Sequence, residues 1–134
     1  RSVYLMVQRN RRHPYLALFD AADPNQSVAR RQPTTTPTQA LFLMNSPFIH
    51  EQAKNFAKRI AAVSGDDRAK TLWAFETAHG QIPEAAVVRD AVAFVTAYRE
   101  KLAKGRNPKS DQDIAAWSAL ARVLLTSNEF LFVD

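Results

Sequence analysis

Three short patterns in this sequence have residue types that could do chemistry. His50-Glu51 starts the run in which two histidines four residues apart share a helix face and hold zinc, with the glutamate as base. The second histidine would fall at Lys54, so the pattern stops there and His50 reads as an exposed helix residue. Asp23, Asn25 and Ser27 have the spacing of the first oxygen donors of a calcium loop, with Asp20 able to add a ligand from outside. That loop needs glycine where Val28 stands and glutamate where Thr34 stands, so a turn in which Asp and Asn bond their own backbone is favoured. Asp20, Asp23, Glu129 and Asp134 have the chemistry for paired hydrolytic carboxylates, but their positions along the chain fix no separation between them.

Several other centres are ruled out within these residues. The absence of cysteine removes disulfides, thiolate nucleophiles, thiolate zinc sites and a covalently attached c-type haem. Three glycines are too few for a glycine-rich phosphate loop, and Ser46 and Ser127 lack the flanking glycines of a nucleophile elbow. Both serines read as helix-end residues. His13 and His79 are isolated, and His79 beside Gly80 fits a helix C-terminus. What remains is a set of polar residues at apolar junctions: Arg30, Arg31, Gln39, Asn45, Arg59, Asn128 and Glu129. Such groups commonly satisfy carbonyls and carboxylates where segments pack. The competing reading is a glycan-binding or hydrolytic cleft completed by chain outside this sequence, with Asp20, Asp23, Arg30, Arg31 and Glu129 as its candidate binding residues.

The elements that must position these residues are read from punctuation and periodicity. Residues 2–8 alternate as a short strand, broken by Asn10-Arg11-Arg12-His13-Pro14. Thr36-Pro37-Thr38-Gln39 fits a capping box with proline at the first helical position, and Asn45-Ser46-Pro47 closes that helix and opens the next. Over 47–63, Ile49, Ala53, Phe56, Ala57 and Ile60 fall on one face. Asp66 or Asp67 caps a third helix ending at Gly80; a fourth, opened by Ile82-Pro83-Glu84, carries the stripe Val88, Ala91, Val92, Val95 and Leu102. Ser110 with Asp113 resembles a capping pair for a fifth, burying Ile114, Trp117, Ala121, Leu124 and Leu125, and Phe130 to Val133 is β-prone. The spacing predicts a mainly α fold, a compact bundle of about five helices with one or two short extended segments near the termini. Residues 3–7 and 130–133 are expected to pair as a small ribbon.

The chain has 134 residues, 46% hydrophobic and 23% charged, which fits one globular domain over 1–134. No apolar run reaches the roughly 18 residues of a membrane helix. The net charge of +5 is concentrated early, with six arginines among residues 1–31. No aromatic stacking ladder or recognition-helix pattern accompanies them, so a solvated basic face, or one packed against missing chain, is favoured over nucleic acid. No signal-peptide pattern stands at the start. The chain opens as though inside a strand and reads as a fragment of a longer protein.

Arg1-Ser2-Val3-Tyr4-Leu5, Phe19-Asp20-Ala21-Ala22-Asp23-Pro24-Asn25, Arg30-Arg31, Thr34-Thr35-Thr36-Pro37-Thr38-Gln39-Ala40-Leu41, Leu43-Met44-Asn45 and the closing run from Leu124 to Asp134 form an ordered set. On these motifs the chain resembles the C-terminal part of the planctomycete-specific domain of unknown function found at the end of cytochrome-c-like proteins. The resemblance implies an exported or cell-surface parent protein, haem carried by a cysteine-bearing domain elsewhere, and no cofactor in this chain. It implies no catalytic residues. The partners to expect are the remainder of the parent protein, and beyond it other surface proteins or polysaccharide. The function expected is a non-catalytic helical packing or interaction module.

Overall fold

The computed structural model describes residues 5–11, 13–23, 25, 27, 29, 34, 36–105 and 108–131. The chain divides into two compact units, Arg1–Met44 and Asn45–Asp134. The first holds α1 (Pro14–Leu18) and all but the last residue of α2 (Pro37–Asn45); the second holds α3 (Pro47–Ala62), α4 (Asp67–His79), α5 (Ala85–Ala103), α6 (Lys109–Leu125) and α7 (Asn128–Leu131). The chain is therefore mainly α.

In the first unit the apolar segment after Pro14 is a single helical turn, and Tyr15, Phe19 and Phe42 pack ring against ring with centroids 4.9 to 5.8 Å apart. The start of α2 is a reciprocal capping box. The Thr36 N–H donates to Gln39 Oε1 at 3.0 Å, and the Gln39 N–H donates to Thr36 Oγ1 at 3.3 Å. Two backbone donors that a helix start leaves unpaired are satisfied in this way.

The second unit is built on α3 against α6. Ala53 and Ala57 on α3 and Ala116 and Ala121 on α6 are fully buried, and their small side chains let the helices come close while Phe56, Ile60, Trp117 and Leu124 fill the space beside them. Val95 and Ala91 of α5 and Ala74 of α4 complete the core. Asp66 caps α4 by accepting from the Ala69 N–H at 2.8 Å, and Gly80 ends it with φ of 71°, a left-handed conformation that costs glycine nothing sterically. Thr71, fully buried on α4, stays satisfied by donating to the Asp67 carbonyl at 2.7 Å.

An ionic clamp joins three of these helices. Arg99 on α5 holds both Asp67 at the start of α4, through Nη1 and Nη2, and Asp113 on α6, through Nε at 2.8 Å. Its guanidinium also lies over the Trp117 ring, 5.4 Å from the centroid. The hydrogen bonds to Asp67 raise the Arg99 pKa, partial burial opposes them, and Asp113 adds to the rise.

Three expectations are corrected. Residues 5–7 form no strand; the one bridge among the described residues links Gln8 and Arg11 across a turn, and residues 1–4 lie outside the described residues. Phe130 and Leu131 are helical instead of extended, because their N–H groups bond the Ser127 carbonyl at 3.2 and 3.1 Å and local closure outweighs β-propensity. The terminal ribbon is therefore not formed by those residues. Ser110 is not the cap of α6: the helix starts at Lys109 behind Pro108, whose carbonyl takes the first backbone bonds, and Asp113 is drawn to Arg99.

Candidate functional site

Asp20 organises a turn. It adopts a φ of 53°, accepts from the Thr34 N–H at 2.7 Å and from Thr34 Oγ1 at 2.8 Å, and lies 3.5 Å from the Gln39 amide nitrogen. Gln39 also donates to the Leu18 carbonyl at 2.9 Å, so one side chain ties α1, the Asp20 turn and the start of α2 together. The Thr34 backbone bond and then its hydroxyl hold the Asp20 carboxyl below its ordinary range; desolvation opposes them, and the Gln39 amide adds to the lowering. Asp23 accepts from the Asn25 N–H at 2.9 Å, an Asx turn, and the Asn25 amide donates to the Arg9 carbonyl at 3.1 Å. Of the candidate binding residues, Asp20 and Asp23 are thus engaged in local turns within the first unit. Arg30 and Arg31 lie outside the described residues. No group of three metal-ligating side chains converges among the described residues.

Glu129 sits in the first turn of α7, in the second unit. Its carboxyl is lowered first by its own backbone N–H, then by the Ser127 hydroxyl, with His79 adding attraction. Ser127 Oγ lies 3.1 Å from His79 Nε2 and donates to the Leu124 carbonyl at 3.0 Å. A serine, a histidine and a carboxylate meet here, but not in the order acyl transfer requires. The carboxylate is bonded on the serine side, whereas a triad places it on the far ring nitrogen, and the Leu124 carbonyl competes for the hydroxyl proton. The cluster joins the ends of α4, α6 and α7.

The larger feature beside it is a groove of about 730 Å³ walled by α4, α5 and α6. Ile82 is 77% exposed, Val123 57%, Val87 41% and Phe94 40%, and all four line it. Its rim carries Glu84, Asp90 and Glu129 along with His79. Sequence reasoning missed this groove, since Val87, Phe94 and Val123 lie off the buried stripes of their helices. A second apolar line on α5 was the available signal.

His50 is exposed on α3 and its Nδ1 lies 3.4 Å from Arg122 Nη1. Of the other junction residues, Asn45 is the last of α2 and Asn128 the first of α7.

The second unit is thus a helical assembly with an open apolar groove beside the Ser127–His79–Glu129 cluster. Residues 1–95 match the family model PSD1, Protein of unknown function (DUF1553), and the chain belongs to that family. The match takes in the Asp20 turn, the capping box and α3, α4 and half of α5; α6, α7 and the closing run lie beyond it. Neither the curated proteins nor the solved structures give a match.

Proposed function

We propose that this chain is a non-catalytic helical packing and interaction module at the C-terminus of a large exported planctomycete protein whose haem is carried by another domain. Its partner is the remainder of that protein, which covers the groove between α4, α5 and α6. The supporting observation is the exposure of Ile82, Val87, Phe94 and Val123 around one cavity, since contiguous apolar surface in water marks an interface. The carboxylates of Glu84, Asp90 and Glu129 at the rim fit an apolar partner surface with a basic fringe. The resemblance of the opening motifs supports the wider setting, and the family match over 1–95 agrees with a domain of unknown function.

The test is co-purification of this chain with the remainder of the parent protein expressed separately. Replacing both Ile82 and Val123 with Asp puts charge into the groove without touching the core. The expected result is a loss of affinity of about tenfold or more with unchanged helical circular dichroism. Unaltered binding by the double variant would contradict the reading.

A further inference from the structure

Four polar side chains converge on a second cavity, of about 410 Å³, that shares no lining residue with the groove. Gln52, Asn55 and Arg59 lie along one face of α3, and Thr77 faces the same space from α4. Phe56 and Phe130 contribute apolar walls.

None of the four side chains has a hydrogen bond or ion pair among the described residues. All four side chains are exposed at the mouth of the cavity. Thr71, Thr96 and Thr126 all turn back to bond the carbonyl four residues earlier, at 2.7, 3.0 and 2.7 Å, and Thr77 does not.

Arg59 is fixed by aromatic rings instead of by a carboxylate. Its guanidinium carbon lies 5.4 Å from the Trp73 centroid and 5.9 Å from that of Phe56. This cation, held by aromatic rings, has no carboxylate on its N–H donors among the described residues, and a guanidinium with free donors matches a carboxylate in bidentate fashion. One cation among neutral amides suits a single negative charge, and the walls suit hydrocarbon.

We propose that this pocket binds a monocarboxylate with a compact apolar body. Arg59 takes the carboxylate as a fork, and Gln52, Asn55 and Thr77 donate to its remaining lone pairs. The acid is either a small free molecule or the C-terminus of a peptide, which share this chemistry. This site stands apart from the proposed interface and does not depend on it.

The test is an amide NMR titration of the chain with 3-phenylpropionate and with N-acetyl-Ala-Phe, each against its uncharged amide. Both backbone resonances of α3 and α4 and the side-chain amides of Gln52 and Asn55 report on the pocket. At least one free acid should shift them saturably, binding about tenfold or more tightly than its amide. Arg59→Leu should abolish the shifts, Arg59→Lys should retain a weaker response, and Thr77→Val should weaken binding while leaving the helical fold intact. Whichever acid binds more tightly identifies the source. Absence of shifts with both acids, equal binding of acid and amide, or an unaffected Arg59→Leu would overturn the proposal.

Discussion

Asp20 and Gln39 together tie Thr34 and the start of α2 to the end of α1. The carboxylate collects both donors of Thr34, while the amide closes the capping box and reaches back to Leu18. Because the folded carboxyl titrates below its ordinary value, its contribution is present above the unfolded pKa and is lost as pH falls through the folded one. The Thr34 amide should therefore lose hydrogen-exchange protection at acid pH below the ordinary carboxylate range, and Asp20→Asn should remove that acid dependence. Protection of Thr34 that is indifferent to pH in the native protein would show that the carboxylate does not hold the turn. The capping box was legible at this scale, since Thr36, Pro37 and Gln39 declare their roles within four residues. So was the Asx turn of Asp23 and Asn25. The Asp20–Thr34 pairing spans 14 residues of chain and leaves no local signature.

At the scale of helices, Arg99 decides how three of them meet. Asp67 is 32 residues before it and Asp113 is 14 after, so no periodicity could have paired them. Arg99→Met would keep much of the packing over Trp117 but leave two carboxylates facing each other without a cation. Because the side chain is 28% exposed, we expect a loss of about 1–2 kcal/mol, between that of a surface pair and a buried one. Urea unfolding measures it, and an unchanged midpoint would show the clamp to be ornamental. Its pKa is raised, so the cation's contribution is fully present at any pH below the ordinary arginine range. Helix boundaries were largely readable: Asp66, Gly80 and Pro47 stand where caps and first-turn residues are expected. Phe130 and Leu131 were misread because apolar, β-prone residues become helical when a preceding serine closes the first turn, and composition alone does not reveal that closure.

At the scale of the molecule, buried alanines and one central tryptophan make a tight α3–α6 pair, while α5 and α6 keep apolar residues facing water. The stripes that predicted the core were correct for Ala53, Phe56, Ala57, Ile60, Val88, Ala91, Val95, Trp117, Ala121 and Leu124. The groove and the Arg59 pocket were not legible. Both arise from residues on different helices whose outward faces are brought together only by packing. Hydrogen exchange of the whole parent protein compared with this chain alone, read in peptides over 82–94 and 116–124, reports whether the rest of the parent covers the groove. Slower exchange of those peptides in the parent, with the α3 core unchanged, is the predicted result; equal exchange in both would contradict it.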